Sequence, residues 1–534
     1  MKLTRLRVEN YNRLADLEIE VREHLVLVGA NDVGKSSLLR CLDFLLGAST
    51  AQLYSQISVD DFRALDQQFV IEATLTNFSK IDRALFPDEI LHDPTTNSSH
   101  LTIRLTATVD DSETVTIERV APDGGTGRQL SREQLLGLGW KFLSATAQTR
   151  DLRDDRRSAL DDILKAVDLG GEKKDFEAVA ASLADTLSSS KTLKKLRKSL
   201  AGQLSKALPE KIVRDDLSFV PGAAADDDPL SDVRLQVSKN GVAHDLSAQS
   251  DGTRALYAIA LYDLMSAGAN VVGIDEPEVH LHPTSQRSLA RLLKSNPNQK
   301  IIATHSSDIV SAFDADSIVV VRPGGEIVQP TAGFLSADEK LVVRWWVRDR
   351  LEPLTSRRVL AVEGPSDRIV VERAADLTDR NLDRLGISIV EAGSKTAMPS
   401  VEKLFGPSGF RVPLSQLVDE DAEASTAKRL GVSSAGLPTH SVWVSRVDLE
   451  DEYVRAIGAS AVWDALSAST MFTANQLHSC TASGQGGSYT DADIAAFCRR
   501  YKVESAIVVA SLLTESTAKT ITSVENILNE AAKI

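Results

Sequence analysis

The chain has 534 residues, of which 43% are hydrophobic and 25% are charged, and its formal net charge of -15 excludes a surface that is basic everywhere. Its length exceeds what one hydrophobic core usually organises, so two or three domains are expected. The sequence contains no long apolar run, and its first residues, MKLTRLRVEN, lack an apolar leader, which predicts a cytoplasmic protein without a membrane span. Cys41, Cys480 and Cys498 lack CxxC or metal-finger spacing, which predicts neither a disulfide framework nor a structural zinc.

Alternating apolar residues in the opening segment predict strands, and the third run, LVLVGA, ends at a glycine-rich turn. A helix is predicted next, in SSLLRCLDFLLG, and it ends at Gly47. Further strands are predicted between residues 69 and 120, in QFVIEATLTNF, HLTIRLTATVD and ETVTIERV. The stretch 155–210 is predicted to be mostly helical, because its apolar positions recur every three or four residues and proline is absent before Pro209.

The segment PGAAADDDP, from Pro221 to Pro229, is predicted to be a loop, with the strand RLQVSKNG behind it. Helices in ALYAIALYDLMS and TSQRSLARLLKS then alternate with strands in NVVGIDEP, KIIATHS and SIVVVRPGG, which indicates a parallel or mixed sheet flanked by helices. A boundary is predicted in GGEIVQPTAGFLSADE. Beyond it, RRVLAVEGPSDRIVVERAA, ISIVEAG and LSQLVDEDAE predict a second, smaller doubly wound α/β domain.

A phosphate-binding loop is predicted at residues 29–36, which fit G-x-x-x-x-G-K-[ST] between a strand and a helix. Lys35 would reach the β and γ phosphates of ATP, and Ser36 would hold Mg²⁺. In VVGIDEPEVHLHP, Asp275 would bind Mg²⁺ through water and Glu276 would polarise the attacking water. The residues predicted to bind the nucleotide in this loop are Gly29, Asn31, Gly34, Lys35, Ser36 and Ser37.

His305 ends the strand after the acidic pair and is expected to contact the γ-phosphate, although an isolated histidine is more often structural. The order of these elements resembles the ABC ATPase class, particularly the branch of structural-maintenance-of-chromosomes and recombination-repair proteins. That resemblance implies a serine-glycine element that completes the ATP site of a partner protomer. LSAQSDGTR is a divergent form of the usual LSGGQ, with Ser250 and Gly252 as the γ-phosphate contacts. The resemblance also implies the glutamine loop that is usual in this class, for which Gln67 and Gln68 remain open alternatives.

Acidic residues follow two predicted strands of the C-terminal half, in Glu363-Gly-Pro-Ser-Asp367 and in Asp419-Glu-Asp421. In a parallel sheet they would converge at the carboxyl edge, and oxygen ligands of this kind suit Mg²⁺ or Mn²⁺. With AGSK between them, the two clusters resemble the Toprim domain of topoisomerases, primases and several nucleases. One or two divalent ions there would position a phosphodiester and generate a hydroxide nucleophile. The predicted metal ligands are Glu363, Asp367, Asp419, Asp421 and Glu450, with Asp448 as a weaker candidate.

Lys502 is predicted to stabilise the transition state of this second site electrostatically. The alternatives are that Lys502 is a surface lysine and Asp448 a surface carboxylate, since most charged residues are solvated. The predicted catalytic set comprises Glu276, Glu363, Asp419, Asp421 and Lys502.

An ABC-type ATPase followed by Toprim resembles the OLD (overcoming lysogeny defect) family and the related nuclease of the Gabija antiphage system. The resemblance covers residues 1–335 as the ATPase domain, with 155–212 as a helical dimerisation insertion, 336–355 as a linker and 356–534 as the Toprim domain. It implies an ATP-binding, metal-dependent DNA endonuclease or nickase in antiphage defence. It further implies a homodimer or homotetramer formed through the ATPase domain, with or without a helicase partner.

The segment KTLKKLRKSLAGQLSKALPEKIVR is basic apart from Glu210, which makes it the best candidate for a patch that binds double-stranded DNA. Leu193, Leu196, Leu200 and Leu204 recur at helical spacing, so an amphipathic helix with a charged outer face explains the run without DNA. Its basic residues are Lys191, Lys194, Lys195, Arg197, Lys198, Lys206, Lys211 and Arg214.

Two other functions compete with the nuclease. One is a DNA-clamping repair ATPase whose Toprim domain is not catalytic. The other is strand passage, which would need a nucleophilic tyrosine such as Tyr453, Tyr489 or Tyr501 and a companion DNA-binding domain that the chain lacks room for. Metal-dependent cleavage that survives loss of the ATP site would favour the nuclease.

Overall fold

The structure is a computed structural model. It describes residues 1–95, 97–110, 112–124, 127–143, 182–183, 185–207, 211–220, 234–239, 242–245, 250, 252–253, 256–257, 268–336, 351–393 and 397–533. The chain divides into two compact units, Met1–Gln329 with Leu335–Asp349 and Pro330–Phe334 with Arg350–Ile534.

The first unit contains most of the described strands. They are β1 (Lys2–Glu9), β2 (Leu17–Glu20), β3 (Leu25–Val28), β4 (Phe69–Thr76), β5 (Leu91–Asp93), β6 (Ser98–Val109), β7 (Val115–Val120), β8 (Trp140–Leu143), β9 (Leu217–Val220), β10 (Arg234–Lys239), β11 (Val242–Asp245), β12 (Val271–Asp275), β13 (Gln299–Ala303), β14 (Ile318–Val321) and β15 (Ile327–Val328). The helices described in this unit are α1 (Lys35–Leu46), α2 (Thr50–Gln56), α3 (Lys80–Leu85), α4 (Arg132–Gly137), α5 (Lys191–Ala207), α6 (Pro283–Ser295) and α7 (Ser307–Val310).

A mixed sheet with the order β15-β14-β3-β13-β12-β8 forms the centre of the first unit. All of its pairings are parallel except that of β14 with β15. Every residue of β3, β12, β13 and β14 is buried, as expected for parallel strands covered on both faces. The carboxyl ends of β3, β12 and β13 therefore share one edge, and the predicted mixed sheet is confirmed.

An antiparallel sheet runs β2-β1-β4-β6-β5, with β7 also paired to β6. Buried and half-buried residues alternate along β4, so one face packs into the core and the other is partly solvated. The strands predicted between residues 69 and 120 are confirmed. A third, three-stranded sheet has the order β11-β10-β9.

The helix α5 covers the described part of the predicted helical stretch. Leu200 and Leu204 are buried in a small core with Tyr257 and Leu292, but Leu196 remains 40% exposed. The amphipathic interpretation is therefore confirmed for the second half of α5 and is wrong at Leu196. The predictions for residues 155–181, for the loop 221–229 and for most of the helix in ALYAIALYDLMS lie outside the described residues.

The second unit contains an all-parallel sheet with the order β17-β16-β18-β19. Its strands are β16 (Arg358–Val362), β17 (Ile387–Glu391), β18 (Leu414–Asp419) and β19 (Val442–Ser445). Its described helices are α8 (Glu352–Thr355), α9 (Pro365–Leu377), α10 (Leu382–Leu385), α11 (Met398–Phe405), α12 (Glu420–Leu430), α13 (Leu449–Ile457), α14 (Ala459–Ala468), α15 (Ala474–His478), α16 (Asp491–Arg500), α17 (Lys502–Leu512), α18 (Glu515–Ala518) and α19 (Thr522–Ala531). A core of its own joins these helices to the sheet, which confirms the predicted α/β fold.

The described helices include none that is both long and apolar enough to cross a membrane. Cys41, Cys480 and Cys498 are free thiols, of which Cys41 and Cys498 are buried and Cys480 is half-buried.

Candidate nucleotide and metal sites

The loop between β3 and α1 is held by two glycines whose positions exclude a side chain. A Cβ at Gly29 would lie 2.4 Å from the carbonyl oxygen of Val321, and one at Gly34 would lie 2.6 Å from Leu14 Cδ2. Gly34 also has a φ of 111°, which L-residues rarely adopt. The loop therefore keeps its backbone N–H groups at the start of α1, where they suit an anion.

Lys35 is buried beneath this loop, and its Nζ donates to the carbonyl oxygens of Gly29 at 3.1 Å and Ala30 at 2.7 Å. Burial lowers the pKa of Lys35, while Glu276, Asp275 and Glu278 act in the opposite direction. The ammonium therefore lies between the loop and the acidic residues that follow β12.

Ser36 Oγ donates to Asp275 Oδ1 at 2.9 Å, which joins the loop to the end of β12. Burial raises the pKa of Asp275, and the charge of Glu276 acts in the same direction. The structure thus brings together the serine and aspartate that the sequence predicted to share a cation. Ser37 is buried on α1, and Asn31 is exposed at the tip of the loop.

Glu276 and His305 face one another at the ends of β12 and β13. His305 Nε2 lies 3.4 Å from Glu276 Oε1, and the backbone N–H of Glu276 donates to the carbonyl of Ala303 at 2.9 Å. Burial lowers the pKa of His305, and the Lys35 ammonium lowers it further. The imidazole is therefore neutral near pH 7, next to the carboxylate predicted to polarise water.

Glu278 belongs to this site, although the motif analysis did not select it. Its Oε1 accepts the backbone N–H of His305 at 2.5 Å, and its Oε2 accepts the hydroxyl of Thr304 at 2.8 Å. The signal in the sequence is the third acid of DEPE, but its partners lie on another strand and cannot be identified from spacing alone.

Ser250 and Gly252 lie beside the segment that follows Glu278. A Cβ at Gly252 would lie 2.6 Å from the carbonyl oxygen of His280, and Ser250 Oγ lies 2.9 Å from Thr253 Oγ1. The structure does not bring these two residues to the phosphate loop of the same chain by any described contact. Gln67 and Gln68 are exposed before β4.

In the second unit, Glu363 follows β16 and Asp367 lies in the first turn of α9. Asp367 Oδ2 accepts the backbone N–H of Gly364 at 2.9 Å, and its side chain is buried. Burial raises the pKa of both carboxyl groups, and the charge of Asp367 further raises that of Glu363. The two carboxylates are therefore close and poorly solvated.

Asp419 ends β18, which is the strand next to β16. Burial raises the pKa of Asp419 to about 8, and the charges of Glu363 and Asp367 act in the same direction. Asp421 lies in the first turn of α12 and is exposed, but its charge also raises the pKa of Glu363, so Asp419 is the buried member of the D-x-D pair and Asp421 the solvent-facing one.

Glu450 and Lys502 complete the cluster from α13 and the start of α17. Lys502 Nζ lies 3.6 Å from Glu450 Oε1, and the Glu450 side chain is only 2% exposed. Burial opposes the charge of Lys502, but Glu450, Asp419 and Asp367 together raise its pKa. The Lys502 side chain is 45% exposed, so it is a surface lysine whose ammonium faces the acidic cluster, and its catalytic role stays a prediction.

Asp448 is not a surface carboxylate either, because it is buried and pairs with Arg499. It also accepts the backbone N–H of Asp451 at 2.8 Å at the start of α13. Both roles are structural. Tyr453 is 1% exposed in the core, so it does not present a nucleophile, and the half-buried Tyr501 packs 5.0 Å from Phe497 between ring centroids.

The chemistry of the buried cluster fits a divalent cation. Glu363 Oε1 and Glu450 Oε2 are buried oxygens without a hydrogen-bond partner, a costly state that a cation would relieve. Burial raises the pKa values of Glu363 and Asp419, and the charges of the neighbouring carboxylates raise them further, so a bound cation would stabilise the ionised forms. Within the described residues, however, no three acidic, histidine or cysteine side chains are already gathered into a group that could hold a metal ion.

Comparisons with known proteins find matches for both parts of the chain. Residues 25–311, more than half of the chain, match the family model "AAA domain, putative AbiEii toxin, Type IV TA system". The chain belongs to this AAA family. Residues 354–421 match "Overcoming lysogenization defect protein-like, TOPRIM domain", so this AAA protein carries an OLD-like TOPRIM domain in its second unit. The resemblance to the OLD family is confirmed.

Relatives of this AAA protein share both parts. It is 25% identical over 461 residues to the OLD nuclease of Thermus scotoductus, covering 78% of this chain and 82% of the relative. It is 21% identical over 434 residues to endonuclease GajA of Bacillus cereus, covering 74% and 71%. A solved Smc head bound to the C-winged helix domain of ScpA aligns with a TM-score of 0.41 and 18% identity, covering 64% of this chain and 100% of that chain.

Proposed function

We propose that this protein binds and hydrolyses ATP and cuts double-stranded DNA with divalent metal ions, as an endonuclease or nickase. The observation that carries the proposal is the convergence of Glu363, Asp367 and Asp419 at one edge of a parallel sheet, buried and repelling one another. The names of two relatives, a nuclease and an endonuclease that each align with more than two thirds of the chain, support it.

The buried carboxylates of the TOPRIM domain would hold the metal. Glu363, Asp367, Asp419 and Glu450 would supply the buried oxygen ligands, and the exposed Asp421 would add one from the solvent side. Hard oxygen ligands favour Mg²⁺, with Mn²⁺ as a substitute. When bound, divalent ions would position the phosphodiester, lower the pKa of water and offset charge on the leaving oxygen. Lys502 holds an ammonium beside this cluster, where it would stabilise negative charge that develops on the phosphate.

The ATP site would work through residues of two strand ends and one loop. The loop at residues 29–37, including Asn31 and Ser37, and the Lys35 ammonium would bind the phosphates. Ser36 and Asp275 would hold the cation. Glu276 is placed to accept a proton from the attacking water, and the neutral His305 beside it would contact the γ-phosphate.

The assembly proposed for the protein is an even-numbered homo-oligomer formed through the ATPase part. Ser250 and Gly252 of one protomer would then contact the γ-phosphate bound by its partner. The proposed domains are 1–335 for the ATPase, with 155–212 as the dimerisation insertion, and 356–534 for the nuclease, joined by 336–355. A cytoplasmic role in antiphage defence, with or without a helicase partner, belongs to the same proposal.

The test is to incubate the protein with supercoiled plasmid and Mg²⁺ or Mn²⁺, with and without ATP. A double variant, Asp419→Ala with Asp421→Ala, removes the two acids that follow β18, and Asp464→Asn, an exposed carboxylate on α14, serves as the control. Nicking or linearisation by wild type and control but not by the double variant is expected. Intact plasmid under all conditions, with ATP still hydrolysed, would contradict the nuclease and support the DNA-clamping ATPase.

A further inference from the structure

The first half of α5 carries a row of lysines on one face. Lys191, Lys194, Lys195 and Lys198 are spaced i, i+3, i+4 and i+7, so they line up along the helix over about 10 Å. All four are exposed, and the sequence of α5, KTLKKLRKSLAGQLSKA, contains no acid. We call these four residues the lysine stripe.

The second half of the helix anchors the lysine stripe to the first unit. Leu200 and Leu204, on the opposite face, pack against Tyr257 and Leu292. Arg197 Nη1 donates to the carbonyl oxygen of Leu217 at 3.1 Å. The stripe therefore points away from the core and is held on a fixed helix.

The lysine stripe is electrostatically unfavourable where it stands. Lysines in the first turns oppose the positive end of the helix dipole, and neighbours at i+3 and i+4 repel each other. The helix itself offers the four lysines no acidic partner, although the protein has a net charge of -15. A bound polyanion would neutralise these charges and so remove this cost. A helix face that only contacts water does not need to be entirely basic.

We propose that the lysine stripe binds the phosphate backbone of double-stranded DNA. This inference rests on the proposed nuclease function, which supplies DNA as the polyanion. A stripe of about 10 Å matches about three phosphate steps of one strand, whose charges are 3.4 Å apart along the axis. Lysine contacts to phosphate carry no sequence information, so the stripe binds DNA without selecting a sequence.

The test measures binding of a fluorescent duplex, without metal, across a series of KCl concentrations. The variant has all four stripe lysines changed to Gln. A matched control has four scattered exposed lysines changed to Gln: Lys2, Lys80, Lys141 and Lys428. Loss of four phosphate contacts makes the slope of log K against log[salt] less negative by about 3 to 4. The control and an all-arginine stripe variant keep the wild-type slope.

Two outcomes overturn the lysine stripe as a DNA site. A wild-type slope in the glutamine variant, together with plasmid cleavage by the wild type, overturns this inference and leaves the nuclease intact. A change of oligomeric mass with an unchanged slope assigns the stripe to contact between copies of the chain instead. Absence of both DNA binding and cleavage in the wild type overturns the proposed function itself.

A second observation concerns Glu278 at the ATP site. Its two carboxylate oxygens hold the backbone of His305 and the hydroxyl of Thr304, while the N–H of Thr304 donates to Leu27 of β3 at 3.0 Å. His305 is thus held directly by Glu278 and, through its neighbour Thr304, by Leu27 of β3. The geometry points to Glu278 as a positioning residue that holds His305 against Glu276 during ATP hydrolysis.

The test for Glu278 compares variants with and without His305→Ala. Glu278→Ala and Glu278→Asp remove one or both contacts and lower kcat for ATP by roughly 10-fold or more at unchanged KM, because misplacing a reacting group costs rate. Glu278→Gln keeps an acceptor for the His305 N–H and a donor for Thr304, so it retains nearly wild-type kcat. In the His305→Ala background the Glu278 variants have no further effect. A full additional loss there overturns the positioning role, whereas absence of ATP turnover in the wild type overturns the proposed ATPase.

Discussion

Glu276 holds a backbone conformation that residues other than glycine rarely adopt. Its φ is 45°, and the hydrogen bond from its N–H to Ala303 keeps it there. Strained backbone of this kind persists where the surrounding structure fixes it, and it is frequent at active sites. The strain turns the Glu276 carboxylate towards His305 at the end of the neighbouring strand, which is consistent with its proposed role as general base.

We expect Glu276→Gln to lower ATP turnover by about 100-fold or more, because the amide cannot accept the proton of water. ATP binding should change little, since Lys35, Ser36 and the loop backbone remain. Turnover and binding of a fluorescent ATP analogue measure the two effects separately. Glu72→Gln, on β4 and paired with Arg104, is the control. Wild-type turnover in Glu276→Gln would exclude this glutamate as the base.

Asp419 and Asp421 should differ in their effect on DNA cleavage. Asp419 is drawn into the carboxylate cluster, whereas Asp421 is exposed on α12. Asp419→Asn is expected to lower plasmid cleavage by about 100-fold or more, and Asp421→Asn by a smaller factor. Equal losses in cleavage rate would show that both carboxylates hold metal in the working enzyme.

The helix α1, which carries the phosphate loop, is stabilised at its far end by an arginine from the antiparallel sheet. Arg119 is buried on β7, and its guanidinium donates to the carbonyl oxygens of Phe44, Leu45 and Ala48, at 2.7 Å for the last. These acceptors lie at a helix end, where carbonyls lack helical partners. Burial lowers the pKa of Arg119 to about 10, so it remains charged at neutral pH.

Arg119→Met should destabilise the first unit by about 2 kcal/mol, because buried carbonyls would lose a charged donor. Arg128→Met, whose side chain is 69% exposed, is the control and should change stability by less than about 0.5 kcal/mol. Thermal unfolding followed by far-ultraviolet circular dichroism measures both. An unchanged unfolding temperature in Arg119→Met would show that water replaces the guanidinium without loss of stability.

Elements with a local signal could be predicted from the sequence. Alternation predicted β4, and the spacing of Gly29, Gly34 and Lys35 predicted the phosphate loop. The side-chain partners of these residues and the order of the strands could not be predicted, because these contacts join residues far apart in the chain. Trp140 of β8, which pairs with β12 and donates to Asp43 at 2.9 Å, is one such case. Glu278 is another, since its partners, Thr304 and His305, lie just beyond the end of β13.

At the scale of the whole molecule, each site has its own sheet and its own core. The phosphate loop belongs to the first unit, and the TOPRIM carboxylates belong to the second. We expect Asp419→Asn to leave ATP turnover within about twofold of wild type, because the described residues of the two sites share no hydrogen-bond or ion-pair partner and effects of such sites are nearly independent. A larger fall in ATP turnover would show that the second unit acts on the ATPase.

The order of strands in the central sheet has a consequence for synthesis on the ribosome. β3 is made within the first 28 residues, but its neighbours are residues 299–303 and 318–321. At about 5 to 20 residues per second, the apolar strand LVLV waits roughly 15 to 60 s for its partners. The four strands of the parallel sheet in the second unit all lie within residues 358–445. We therefore expect the nascent N-terminal half to depend on chaperones, and the nuclease half to fold soon after it emerges.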